Sequence, residues 1–169
     1  MGTSGEILDV MNFHLPRYDE LPNIFLYLEQ LIDAAKDATG QVISEPLTGP
    51  MINNYIKTKA LPPAAKKRYS RDHLCYLIII TCLKQVFTLP QIAEFFSIQR
   101  QTYPLETAYN FFCGEFENAL KEAFSFTGKA LPCIETKRTD QTILVRAVVL
   151  AAANRIFVEK TYFASENER

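Results

Sequence analysis

The sequence predicts an all-α fold, and three features carry that expectation. Apolar residues recur at spacings of three and four, as in Phe25, Leu28, Leu31, Ile32 and Ala35. Helix boundaries are written in capping and breaking residues: Thr48 ahead of Pro50, Thr88 ahead of Pro90, then Gly40 and Pro62-Pro63 as stops. The run from Leu74 to Ile80 is apolar nearly all round, the pattern of a central helix covered on several sides.

Taken in order, residues 1–20 hold a short apolar segment (Ile7, Leu8, Val10, Met11, Phe13) ahead of Pro16 and are expected to form an arm or a short helix. Pro22 opens a helix to about Ala38, with Glu29, Lys36 and Asp37 outside, and Gly40 stops it. The linker from Gly40 to Pro46 is long for a tight helix-turn-helix connection, so the two helices it joins are expected to be loosely coupled. In the next helix Thr48 is the cap, Ile52, Tyr55 and Ile56 face inward, and Asn53, Asn54 and Lys57 share the solvent side.

Pro62-Pro63 ends that helix, and Lys66, Lys67, Arg68 and Tyr69 form a basic turn before Ser70 caps a helix from about Arg71 to Val86, with His73 in its first turn. Thr88-Leu89-Pro90-Gln91 matches a capping box and opens a short helix to Phe96. Residues 21–97 then make one small domain, and Gln99, Arg100 and Gln101 read as a linker.

From Leu105 to Phe126 an amphipathic helix places Tyr109, Phe112, Cys113, Phe116, Leu120, Ala123 and Phe124 on one side. Glu115, Glu117, Lys121 and Glu122 fall on the other. A loop from Gly128 to Lys137 leads to a helix from Asp140 to about Phe163 that carries VVLAAANRIF. A two-helix hairpin over 102–163 this apolar needs a partner surface, either the N-terminal domain or a second subunit.

The stretch Leu47 to Pro63 resembles the second helix of the MerR-type winged helix-turn-helix, with Leu47, Thr48, Ile52, Tyr55, Leu61, Pro62 and Pro63 in register. Arg68, Tyr69, Ser70 and the helix from His73 match the end of that family's wing and the helix after it. MINNYIK, the Lys-Arg-Tyr-Ser run and LKQVFTLPQI are similar to the bacterial family of the domain of unknown function 1836, a label that carries no activity. The resemblance spans roughly Leu21 to Phe96. It departs at Asn53, where MerR proteins usually carry an arginine, and in a wing several residues shorter, which implies fewer or differently placed phosphate contacts. The resemblance implies DNA binding without implying a MerR operator.

Composition agrees with a basic patch on an acidic body. Net charge is −1, yet between Lys57 and Asp72 six basic residues (Lys57, Lys59, Lys66, Lys67, Arg68, Arg71) meet one acid, a local +5 that leaves −6 elsewhere. The cysteines at 75, 82, 113 and 133 show no CxxC pair and no histidine at ligand spacing, so neither zinc nor another cofactor is expected. Cys75 and Cys82 lie about 10 Å apart along one helix axis, too far for a disulfide between them. No basic start followed by an apolar stretch marks a signal peptide. The longest uninterrupted apolar runs fall well short of the roughly 20 residues that span a bilayer. A cytoplasmic, non-membrane protein is expected.

Three functions compete. The first is a sequence-specific DNA-binding regulator, working as a homodimer on double-stranded DNA. In it the helix from Pro50 to Lys59, capped by Thr48, enters the major groove, with Asn53 and Asn54 at base edges because an amide bonds adenine N6 and N7 together. Lys57, Lys59, Lys66, Lys67, Arg68 and Arg71 hold phosphates, and Tyr69 packs on the backbone sugar or on the core. The second is a protein-interaction or DNA-architectural module that keeps the winged-helix frame. The third, an enzyme, finds no Ser/His/Asp or Cys/His arrangement and no phosphate-cradling glycine loop. No ligand motif marks an effector.

Overall fold

The structure, a computed structural model, describes residues 4–125, 132, 134 and 137–163. Among these, seven α-helices run in the order α1 (Ser4–Met11), α2 (Leu28–Thr39), α3 (Gly49–Lys57), α4 (Arg71–Leu83), α5 (Leu89–Arg100), α6 (Leu105–Phe124) and α7 (Asp140–Val158). A π-helical turn, Glu159–Phe163, extends α7, and a short 3-10 turn, Tyr18–Glu20, interrupts the arm. No strand occurs among the described residues, only two isolated antiparallel bridges, Leu26 with Tyr69 and Ala65 with Arg68. The chain is therefore all-α. The expected loop from Gly128 to Lys137 falls mostly outside the described residues, as do Cys133 and Phe126.

Every residue of α4 from Leu74 to Leu83 is buried, as its all-round apolar pattern required. It packs against α2, α5, α6 and α7, while α6 and α7 pair along their lengths and α1 lies on α6. One buried apolar cluster runs from Val10 through Ile156.

Several boundaries differ from the sequence reading. Residues 22–27 are not the start of α2; they lie outside any helix, and Leu26 exchanges both backbone hydrogen bonds with Tyr69 at 2.8 Å. Phe25, expected on the inner stripe, is 63% exposed. The linker after Gly40 is not loose, since Val42 and Ile43 are buried in the common core. The segment expected as a linker at Gln99 and Arg100 is the last turn of α5, and buried Gln99 donates its amide to the Gln141 carbonyl at 3.3 Å.

Of two glutamates placed outside by periodicity, one lies inside and the other is half-buried, and both fasten the chain. Glu115 is buried, ion-pairs with Arg146 of α7 at 3.2 Å and accepts the Ile134 amide at 2.7 Å. Glu117 takes both guanidinium nitrogens of Arg17, at 2.6 and 2.8 Å, and the Leu15 amide at 3.0 Å. With the Tyr109 hydroxyl donating to Pro16 at 2.6 Å and the Tyr18 amide to Asn110 at 2.8 Å, these bonds strap the arm to α6.

By length and composition Asp140–Phe163 is apolar enough to cross a membrane, a property the count of uninterrupted apolar runs did not reveal. In this structure its inner residues Val145, Val149, Ala152, Ala153 and Ile156 are buried.

Removing one partner of a buried ion pair strands the other charge. Arg146→Ala, which takes the guanidinium away from the buried Glu115 carboxylate, is expected to lower stability by about 3 kcal/mol in urea denaturation. The thiols of Cys75, Cys82 and Cys113 are all buried, and burial pushes their pKa values up, that of Cys113 to about 12. The thiolate is the reactive form, so an aromatic disulfide reagent at pH 8 is expected to leave these three unlabelled until the chain is unfolded. Fast labelling of any of them in the native protein, located by mass spectrometry, would contradict this.

Candidate nucleic-acid interface

Thr48 is the N-cap residue of α3 with an extended backbone, but its hydroxyl makes no capping bond, contrary to expectation. Its carbonyl instead accepts the Ile52 amide at 3.1 Å, and Pro50 sits in the first turn where no N–H is needed. Ile52 and Tyr55 are buried and Ile56 is half-buried, so the opposite face carries Asn53, Asn54 and Lys57 into solvent. Lys84, the C-cap residue of α4, fixes this helix from behind, donating to the Tyr55 hydroxyl and to the Pro46 carbonyl, each at 3.4 Å.

The helix stops in a left-handed residue, a position where glycine is usual. Here it is Lys59, with φ 62°, and the Leu61 amide closes the end by bonding the Tyr55 carbonyl at 3.0 Å. Lys59 is exposed.

The basic turn is tighter than a run of cations suggests. Ala65 and Arg68 exchange both backbone hydrogen bonds at 3.0 Å, leaving Lys66 and Lys67 as a two-residue tip. Their φ values, 50° and 62°, are both left-handed, the requirement of a type I′ turn that Asn-Gly ordinarily meets. A non-glycine residue there costs roughly 1 to 2 kcal/mol. Lys66, Lys67 and Arg68 are all exposed.

His73 holds this turn to α4. Its Nδ1 accepts the Ser70 amide at 3.0 Å, which leaves Nε2 to donate to the Pro63 carbonyl, also at 3.0 Å. It is the partner residue in the Ser70 capping box.

Two residues expected to touch DNA do not present themselves. Tyr69 is buried, with its ring edge-on to His73 at 5.4 Å, because its backbone is the one that pairs with Leu26. Arg71 is largely covered: its guanidinium lies 4.8 Å over the Tyr18 ring, Nη1 is 3.9 Å from Asp19, and its buried Nε has no hydrogen-bond partner. Arg68 is exposed but braced, 5.2 Å over the Tyr27 ring and bonded to its hydroxyl at 3.2 Å. Tyr18 and Tyr27 were not among the expected site residues. Tyr18 lay in a segment read only as an arm, and Tyr27 in one read as helix.

The remaining expected residues, Thr48, Asn53, Asn54, Lys57, Lys59, Lys66, Lys67 and Arg68, are exposed. Among the described residues no group of three His, Cys, Asp or Glu side chains is arranged to hold a metal ion.

The sequence model of a family described as Domain of unknown function (DUF1836) matches residues 16–112. That range takes in the arm from Pro16, α2 to α5 and the first part of α6. No curated protein and no solved structure matches the chain.

If the left-handed tip is strained, relieving it stabilises the fold. The double substitution Lys66→Asn with Lys67→Gly is expected to raise stability by about 1 kcal/mol, read as an increased melting temperature. A fall in melting temperature would mean that the tip does not hold the left-handed turn.

Proposed function

The chain belongs to the family of the domain of unknown function 1836, and we propose that it acts as a sequence-specific DNA-binding regulator of transcription. In this reading the frame is MerR-like: α2 and α3 are the two helices of the helix-turn-helix, and the Ala65–Arg68 turn is a wing reduced to its tip. The pairing of Leu26 with Tyr69 supports it, since it joins the segment before the first helix to the segment that follows the turn.

The observation that carries the proposal is the pair of consecutive left-handed lysines at an exposed tip, next in sequence to a helix whose solvent face is Asn53, Asn54 and Lys57. Backbone strain that a glycine would relieve persists where the side chain is needed, and two ammonium groups at a turn tip suit phosphate oxygens. Asn53 and Asn54 read base edges in the major groove, by bidentate bonds to adenine. Lys57, Lys59, Lys66, Lys67 and Arg68 neutralise phosphates, and the Tyr27 ring braces the Arg68 guanidinium. The protein works in the cytoplasm as a homodimer on a symmetric site, without a catalytic step or cofactor.

A second reading, a protein-interaction module on the same frame, is favoured by the exposed apolar residues Ile24 and Phe25 beside the turn, at 64% and 63%. Selection of bound fragments from a random duplex pool, followed by anisotropy titration of the winner against a scramble, separates the two. The regulator reading expects enrichment and a fall of log affinity with log salt at a slope of about −4 to −5, for about five phosphate contacts. Lys66→Ala with Lys67→Ala is expected to weaken all sequences alike and reduce the slope magnitude by about 2, whereas Asn53→Ala erodes preference for the selected site. No enrichment and no salt-dependent binding at micromolar protein would transfer the assignment to the interaction module.

A further inference from the structure

A cavity of about 280 Å³ lies among α5, α6 and α7, away from the asparagine face and the lysine tip. Its walls are mainly apolar: Ala108 and Phe111 of α6, with Ile134 and Tyr103. Polar groups enter it at one end, around the first turn of α7. Gln99, 6% exposed in the last turn of α5, donates its amide nitrogen to the Gln141 carbonyl at 3.3 Å. A carbonyl can only accept, so it holds Nε2 and turns Oε1 the other way. Among the described residues that Oε1 accepts no hydrogen bond. It is not sealed off either, since the described side-chain atom that is both unpartnered and wholly buried is Arg71 Nε. Lys137 stands at the same turn, with its carbonyl 3.5 Å from the Thr142 hydroxyl. Its side chain is exposed and enters no ion pair among the described residues.

From these groups we infer that the cavity binds a small aromatic carboxylate that also carries a hydroxyl or amine donor. The inference stands apart from the DNA-regulator reading, which uses none of these residues. Size sets the first limit, because the volume is at the small end of ligand sites and suits a molecule of one ring. The wall sets the second: Phe111 and Tyr103 offer rings against which a flat aromatic body packs edge-on or offset, and Ala108 leaves room beside them. Charge sets the third. One unpaired ammonium answers one negative charge, as on a carboxylate, whereas a phosphate monoester carries nearly two and would leave the second without a partner. Gln99 sets the last. An acceptor on a buried side chain that lacks a donor carries a desolvation cost, which a ligand O–H or N–H removes and a purely apolar ring does not. Aromatic body, single anion and donor are thus each required by a different residue.

The test is a two-dimensional amide NMR titration of the full chain, without DNA. The probes are meta- and para-hydroxybenzoate and para-aminobenzoate, set beside benzoate and para-hydroxybenzamide. At least one of the first three is expected to bind with a dissociation constant below about 1 mM, the range open to a one-ring ligand, and to shift the Gln99 side-chain amide and the Thr142 amide. Benzoate, which has no donor for Gln99, is expected to bind about fivefold more weakly, the worth of one hydrogen bond. The neutral para-hydroxybenzamide is expected to bind about threefold more weakly than para-hydroxybenzoate, the worth of one exposed ion pair. Lys137→Gln, at an exposed position, is expected to bring these last two to the same affinity. Thr107→Trp, which fills the cavity from an exposed position of α6, is expected to weaken every probe at least about tenfold with unchanged helical circular dichroism. If that variant loses helicity, Lys137→Gln decides. The site is overturned if none of the first three probes binds below about 10 mM, or if the shifted amides lie elsewhere. It is also overturned if a Thr107→Trp chain of intact helicity binds as the wild type does. Equal binding of benzoate and the hydroxybenzoates, or a carboxylate preference that survives Lys137→Gln, overturns the ligand class. Failure to bind DNA leaves the site standing and removes only the regulator.

Discussion

The burial of α4 is the constraint on which the other elements depend. A helix with ten successive buried residues has no solvent side, so it must be covered from every direction. The chain meets this with α2 on one side and α5, α6 and α7 on the others. The same helix sets the basic turn, because Ser70 and His73 at its N-terminus bond each other and His73 bonds the Pro63 carbonyl. Lys84, just past its other end, bonds the buried ring of α3 through the Tyr55 hydroxyl. The asparagine face and the lysine tip are thus both referred to one rigid axis, although neither packs its own charged groups against it.

Charge is divided in the same way. Two carboxylates of α6 are used for tertiary fastening: half-buried Glu117 receives the arm through Arg17, and buried Glu115 joins α6 to α7 through Arg146. Arg71 is absorbed too, stacked on Tyr18, whose hydroxyl donates to Asp72 at 2.8 Å. Among the described residues, Lys57, Lys59, Lys66 and Lys67 enter no ion pair and lie close together in the sequence, whereas Lys36, Lys121 and Lys160, also outside the ion pairs, are spread over other elements. That concentration, rather than the near-neutral total, is what an anionic partner meets.

What the sequence made legible were features encoded within one turn of a helix. The inner stripes of α3 and α6, the Thr88 capping box and the all-round apolar α4 follow from spacings of three and four and from local side-chain chemistry. What it concealed depended on residues far apart in the chain. Phe25 fits the period of a helix, but the pairing of Leu26 with Tyr69 holds the backbone extended there, and nothing near Leu26 announces Tyr69. Glu115 lies at the rim of its helical wheel, and Arg146 on the next helix and the Ile134 amide, both far along the chain, make an inner position tolerable for it. Gln99 looked like linker because it is polar, yet it is buried with its amide on the Gln141 carbonyl. The lysine tip hid for a different reason: a type I′ turn is normally advertised by Asn-Gly, and Lys-Lys carries no such signature.

The N-terminal and C-terminal helices are joined rigidly. α4 contacts α7 along the core and carries the basic turn at its N-terminus, so the turn and α7 keep one fixed relation. The sequence suggested a joint at Gln99 and Arg100, but these residues continue α5 instead of linking two domains. Under the proposed function, a two-fold reader works only when its two α3 helices stand about 34 Å apart along the duplex, one helical turn, or a multiple of it. A flexible joint inside each copy would spread that separation, so rigidity between α3 and the C-terminal helices is the physical condition the proposal requires.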